Sequence, residues 1–157
     1  MILTIRPARA RDAEAVSDLI LSLASYFIAE PESAEVRPFL ETLSPAATKE
    51  RINSDNYDCF VAEHDARILG VIALRDGSHV YHLFVRSDDH GRGIARALWE
   101  HARSMSAERV FTVNSSLYAV PVYEHLGFRA TEAPKKVDGL EFVPMEYRIE
   151  SQQNRSA

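Results

Sequence analysis

The segment 80–102, "VYHLFVRSDDHGRGIARALWEHA", constrains the fold more than any other part of the chain. An apolar run of strand character passes through a charged loop holding two glycines into a stretch where Ile94, Leu98, Ala102 and Met105 recur at helical spacing. A buried strand feeding a helix in this way sets a layer of sheet against a layer of helix. The junction "HGRGIA" also leaves backbone N–H groups without partners at the positive end of a helix dipole. Such a turn suits a phosphate or pyrophosphate, because glycine lets a ligand approach the backbone, and Arg92 and Arg96 can add charge-assisted hydrogen bonds. Gly91 and Gly93 serve equally well in a chain that only has to turn. Neither a Gly-x-Gly-x-x-Gly fingerprint nor a Gly-Lys-Ser/Thr ending is present.

The flanking stretches supply the rest of the sheet. "LTIRPA" reads as a first strand, followed from Asp12, a candidate cap, by a helix with Val16, Leu19, Ile20, Leu23 and Phe27 on one face and an end near "YFIAEPES". Ser44 as cap with Pro45 behind it predicts a second short helix. "YDCFVAEHD" and "RILGVIALRDG" form two strands around a turn at Asp65 and Ala66, and the Asp76-Gly77 pair folds "SHVYHLFV" back as a third, giving an antiparallel meander. Beyond the glycine loop follow a strand "RVFTVNS", a short helix "YAVPVYEHLGF" closed by Gly127, and a last strand "LEFVPMEYRI". The 157 residues fit one domain over 1–150 with a polar, frayed tail at 151–157. No apolar run approaches the roughly 18 residues of a membrane span, and "MILTIRPARARD" lacks the charge order of a secretory signal, so a cytoplasmic location is expected. A net charge of -5 disfavours nucleic acid as a partner and mildly favours a cationic small molecule. The single cysteine, Cys59, is expected to be a small buried strand residue.

Strand "HLFV", loop "RSDDHGRGIA", helix "RALWEHA", strand "FTVNSS" and the segment "YAVPVYEHLGF" together resemble the Gcn5-related N-acetyltransferase family across nearly the whole chain. That family's phosphate loop reads Gln or Arg, two residues, Gly, one residue, then Gly or Ala. His90 stands at the first position here, a departure, while Gly93 and Ala95 fill the last two. The segment "VYEHLGF" is close to the family's Tyr-Glu-basic-Leu-Gly-Phe ending. The resemblance implies an α/β (α+β) domain of the acyl-CoA N-acyltransferase fold, with a mixed, mostly antiparallel central sheet flanked by helices. It also implies acetyl-CoA as acyl donor, its pyrophosphate on the segment His90, Gly91, Arg92, Gly93, Ile94, Ala95 and Arg96. The pantetheine arm is then expected in a gap between the meander's last strand and the next parallel strand, against Leu83, Phe84 and Val85, with the Val85 backbone nearest the thioester oxygen. Ser116 stands where many relatives have an Asn that touches the pantetheine, and Asn114 lies two residues earlier; either can bind the cofactor, and Asn114 can equally face the acceptor.

Acetyl transfer to an amine needs an unprotonated nucleophile, donors for the oxyanion and a proton for the thiolate. An alkylamine with a pKa of about 10.4 is mostly protonated at neutral pH, so a base or a water chain must act on it. Tyr123 matches the family's usual general acid, against the alternative that its ring only packs on the cofactor arm. Period-two alternation puts His79, Tyr81, Leu83 and Val85 on one face, with Val80, His82 and Phe84 on the other. His79 therefore stands as candidate base, against the alternative of a solvated strand-end residue, and Tyr81 as a substrate contact. His82 is expected in the core, and no metal pair is expected from His79 and His82. Asp88 and Asp89 read as a solvated turn.

In this family the acceptor meets the first helix and the loop after it, where Tyr26 and Glu30 belong to an aromatic and acidic cluster suited to an amine cation. The reading is an N-acetyltransferase acting on a small-molecule or peptide amine by direct attack in a ternary complex. The alternative is a non-catalytic acyl-CoA-binding module. A homodimer is compatible with an exposed last strand.

Overall fold

In the computed structural model, which describes residues 1–150, eight strands form one sheet. The tail expected at 151–157 lies outside the described residues. The strands are β1 (Thr4–Pro7), β2 (Tyr57–His64), β3 (Arg67–Arg75), β4 (His79–Val85), β5 (Val110–Ser116), β6 (Arg129–Ala130), β7 (Lys135–Val137) and β8 (Leu140–Arg148). Their order is β1-β2-β3-β4-β5-β8-β6, with β7 also on β8, and every pairing is antiparallel except β4 with β5. Both expected tight turns hold: Asp65 and Ala66 have φ of 49° and 63°, and Asp76 and Gly77 have 55° and 73°, the left-handed pairs that match strand twist in a two-residue hairpin.

On one face of the sheet lies α5 (Ile94–Ser104). Ile94, Leu98, Trp99 and Ala102 are all buried in a cluster with Val80, Val85, Phe111, Tyr123 and Phe128. Trp99 meets Phe111 edge-on at 5.1 Å and Phe128 at 5.0 Å. Close approach is made possible by Gly70, where a Cβ would lie 3.0 Å from both Leu98 Cδ1 and the Phe84 carbonyl oxygen. Met105 does not continue this stripe. It lies past the helix end, 67% exposed, and Trp99 is the buried residue that the i+4 reading left out.

The other face carries α1 (Ala13–Ser22) and α4 (Pro45–Asn53), with α2 (Ala24–Phe27) and α3 (Arg37–Glu41) between them in the chain. The expected continuous first helix breaks at Leu23, where the Ser22 hydroxyl donates to the Leu19 carbonyl at 2.6 Å and competes with the helical ladder. Asp12 is not a side-chain cap of α1. Its carboxylate accepts from Arg6 at 2.8 and 3.0 Å and from the Arg9 N–H at 2.7 Å, a bidentate ion pair that outweighs a single capping bond. Ser44 caps α4 as expected, accepting the Ala47 N–H at 3.1 Å ahead of Pro45.

The last strand is interior, with β5 on one side and β6 and β7 on the other. An exposed last strand as a route to a homodimer is therefore corrected. The hairpin from β7 to β8 turns on Asp138 and Gly139, a third left-handed Asp-Gly pair whose sequence signal matches the one used at Asp76-Gly77.

A second correction concerns β4. Ala73 pairs with His82 and Leu74 with Val80, so Tyr81 is an extra residue in a β-bulge. Strict alternation breaks there. Val80, Leu83 and Val85 join the α5 cluster, while His82 and Phe84 face α1 and α4, and Tyr81 lies under the Arg51 guanidinium of α4 at 4.8 Å. His79 donates or accepts a 2.8 Å bond with the Thr112 hydroxyl on exposed β5 surface. His79 and Tyr81 thus do not share a face with Val85.

Candidate active site

β4 and β5 pair only through His79 with Thr112 and Val80 with Val113. Beyond that they separate, and a cleft of about 730 Å³ opens between them. Leu83, Phe84 and Val85 form one wall; Ser116, Ala119 and, from α6 (Val120–Leu126), Pro121, Val122, Tyr123, His125 and Leu126 supply the other. Its floor and one end are Asp89, His90, Gly91, Gly93, Ile94, Ala95 and Arg96, the loop and first turn of α5.

The backbone at this end is built for an anion. Gly91 and Gly93 have φ of 79° and 78°, conformations that side-chain-bearing residues rarely adopt, and nothing lies within 4 Å of where their Cβ atoms would stand. Gly93 is the N-cap of α5, so the first-turn N–H groups open toward the cleft. Arg96 stands on the rim, its Nη2 donating to the His125 carbonyl at 2.9 Å. Arg92 does not line the cleft; it is 3.6 Å from Asp89. The His90 Nε2–H donates to the Val85 carbonyl at 2.8 Å, so that ring ties the loop to the strand end and is not extended toward a ligand. Asp89 departs from the solvated turn expected of it: its side chain is 14% exposed and it faces Arg86 and Arg92.

The Arg86 N–H donates to the Leu69 carbonyl on the β3 side at 2.8 Å. Alternation of backbone groups along a strand then turns the Val85 amide toward the cleft. Across it stands Tyr123, 6% exposed, its ring edge-on to Phe128 at 5.4 Å. Burial pushes its phenol above the ordinary tyrosine range, so it keeps its proton throughout the neutral region. The donor set and the shape fit an acyl-CoA: an extended gap for the arm, a glycine-opened helix start for the phosphates, and a phenol beside the gap.

A second cavity of about 400 Å³ adjoins the first and shares Tyr26, Phe27, Ser116 and Tyr118 with it. Tyr26 and Tyr118 meet at 4.8 Å with their rings tilted by 38° on the common wall, and Glu30, Glu35 and Glu141 line the cavity with Lys136. Tyr118, Glu141 and the β7–β8 turn escaped the sequence reading; the aromatic of "SSLYAV" beside the matched segment and the third Asp-Gly pair were the available signals. Gly139 brings that turn close, since a Cβ there would lie 2.8 Å from Val36 Cγ1.

His79, Tyr81 and Asn114 line neither cavity. Burial and the nearby Arg75 depress the His79 pKa, which weakens its basicity further. The Cys59 thiol is pushed up to about 11 by burial, which leaves it no nucleophile near neutrality.

The central sheet, the strand gap and the glycine loop at a helix start define an acyl-CoA N-acyltransferase fold. Residues 27–149 match the model of the acetyltransferase (GNAT) domain, and the chain belongs to that family. Over 68 residues, 43% of this chain and 46% of the other, it is 41% identical to the peptidyl-lysine N-acetyltransferase YjaB of Escherichia coli, so this match spans about half the length of that curated relative. The solution structure of the apo form of YjaB superposes with a TM-score of 0.72 at 28% identity, covering 94% of this chain and 98% of that one. PaiA N-acetyltransferase from Thermoplasma acidophilum, in complex with coenzyme A, has the same fold, with a TM-score of 0.78 at 17% identity over 95% of this chain and 100% of that one. Among the described residues no helix is long and apolar enough to cross a membrane.

Proposed function

We propose that the protein transfers the acetyl group of acetyl-CoA to a primary amine borne on a flexible arm, with a peptide lysine as the favoured acceptor. The observation that carries this is the opening of β4 from β5 into a cleft that runs from the glycine loop to Tyr123 and then into the carboxylate-lined cavity. Acetyl-CoA supplies an activated acetyl group on a thioester. The Val85 N–H holds the acyl oxygen as it gains charge. Tyr123 donates its proton to the departing sulfur. A phenol raised by burial is a weak acid, but a thiolate in the same apolar gap is raised by the same desolvation, so the two remain matched.

The tilted pair Tyr26 and Tyr118 offers ring faces to an ammonium group, and Glu30 with Glu35 and Glu141 gives it a favourable field on approach. The amine's proton leaves to water in that cavity, since His79 is not within it. A lysine side chain is long and slender enough to pass beside the aromatic pair, and the similarity to the peptidyl-lysine N-acetyltransferase YjaB supports this acceptor class.

Free CoA released from acetyl-CoA by the purified protein, measured against lysine peptides, peptides with free N-termini, polyamines, aminoglycosides and amino acids, tests the proposal. Lysine-peptide-dependent release with a mass gain on the lysine is expected. Release with another amine and none with lysine would replace the acceptor. Tight CoA binding with no release from any of them would favour the non-catalytic module.

A further inference from the structure

The loop that opens the helix for an anion also contributes an acidic residue to the lining of the same cleft. Asp89 lines the cleft beside His90, Gly91 and Gly93, and its side chain is 14% exposed. It lies 3.7 Å from Arg86 Nε and 3.6 Å from Arg92 Nη1, while its own N–H donates to the Arg86 carbonyl at 2.9 Å. Both separations are ion-pair distances longer than a hydrogen bond, and the buried Arg86 Nε has no hydrogen-bond partner. One carboxylate is therefore shared between two guanidinium groups, neither of which it grips firmly. Asp88, next to it, is exposed and forms no ion pair among the described residues.

We propose that Asp89 is an internal counter-ion that competes with the phosphates of the acyl donor and sets how tightly the cleft holds its charged half. This rests on the reading that the cleft binds acyl-CoA. Two arginines beside a phosphate loop would otherwise present two uncompensated positive charges. With Asp89 between them the local charge falls to one, and the carboxylate itself repels an incoming diphosphate across a partly desolvated rim. The backbone N–H groups at Gly91, Gly93 and the first turn of α5 then carry the recognition, and the arginines contribute less than their number suggests. Affinity for the CoA product is held down by the same means, which favours its release after each transfer.

Asp89→Asn keeps the size of the side chain while removing its charge. Dissociation constants measured by calorimetry on the full chain, for CoA and for uncharged S-acetylpantetheine, separate charge from shape. Asp89→Asn should bind CoA roughly three- to tenfold tighter at low ionic strength, with the gain shrinking as salt rises. S-acetylpantetheine should bind both proteins equally, and Asp88→Asn should change CoA affinity by much less than Asp89→Asn. Weaker CoA binding by Asp89→Asn would mean that the carboxylate aims the arginines at the ligand, and would overturn the proposal. An equal shift for S-acetylpantetheine, or an equal gain in Asp88→Asn, would overturn it too, the first by pointing to shape and the second to net charge. Wild-type protein that binds no CoA at all would defeat the underlying reading, an outcome visible before any variant is made.

Discussion

The two halves of β4, before and after Tyr81, differ in nearly every respect that matters for the site. The upstream half, His79 and Val80, pairs with β5, and its one polar side chain is tied to Thr112 at 2.8 Å. The downstream half, Leu83 to Val85, is separated from β5 and lines the cleft. Between them the bulge is covered by α4, with Arg51 4.8 Å above the Tyr81 ring and its Nη2 donating to the Thr42 carbonyl at 2.6 Å. One strand can thus be anchored at one end and open at the other because an extra residue uncouples the two. The proposed mechanism uses the open half, and the anchored half holds the strand in the sheet.

The sharpest way to break that division is Tyr123→Phe, on the wall opposite the open half. Loss of a proton donor in this position should lower kcat by about 100-fold, within the usual range for general acid catalysis, while the dissociation constant of CoA stays close to wild type. Steady-state kinetics paired with calorimetry separates the two quantities. Equal losses in both would make the ring a packing element of the cleft.

The anchor is the next target. Arg51→Met removes the stacked cation and the bond to Thr42 while keeping an unbranched side chain of similar length. Denaturant unfolding should register a loss of roughly 1–3 kcal/mol, the cost of a buried hydrogen bond made by a charged group. Beneath Arg51, His82 is 5% exposed, and burial together with the Arg51 charge lowers its pKa to about 3. The unfolded chain binds the His82 proton near pH 6.5 and the folded chain does not, so stability from this residue is complete above about pH 6.5 and is lost progressively as pH falls toward about 3. Asp12, whose pKa is lowered by its bond to Arg6, adds a loss that begins in the ordinary carboxylate range, where the unfolded carboxylate takes up its proton, and grows as pH falls further. Unfolding free energies measured from pH 7 to pH 4 should therefore decline in wild type and decline less in His82→Met; parallel curves would place the acid sensitivity elsewhere.

Much of this was legible in the chain because particular residues have few alternatives. Gly91 and Gly93 sit at positive φ, Gly127 closes α6 at a φ of 106°, and Asp76-Gly77 turns the meander, all as their residue types require. The segment "VYEHLGF" leads to Tyr123 on the cleft wall. The bulge was illegible for a physical reason. No residue in "SHVYHLFV" marks a bulge, and the extra residue becomes visible only where Arg51, thirty residues earlier in the chain, meets the Tyr81 ring. The partly shielded Asp89 was likewise invisible, because its setting depends on two arginines placed by the loop conformation. The cavity proposed for the acceptor was half legible: Tyr26 and Glu30 were in view, whereas Tyr118 and Glu141 join them only through the β5–α6 junction and the β7–β8 hairpin.

The smallest expected effect is also the one that tests the comparison most directly. Strict alternation would make His79 a base beside Val85, and its removal would then erase the lower limb of the pH-rate profile. With the bulge in place His79 lies outside both cavities, bonded to Thr112, with its pKa depressed by burial and by Arg75. His79→Ala should accordingly change kcat by no more than about twofold, a modest positioning loss on the scale of acid–base effects of 10²–10⁴. The profile should still rise with pH, because the acceptor ammonium must lose its proton in either case. A collapse of the acidic limb would show that β4 moves when both substrates are bound and brings its anchored half into the reaction. An unchanged limb would leave proton removal to water in the carboxylate-lined cavity, and Glu30→Gln would then be the variant expected to shift it.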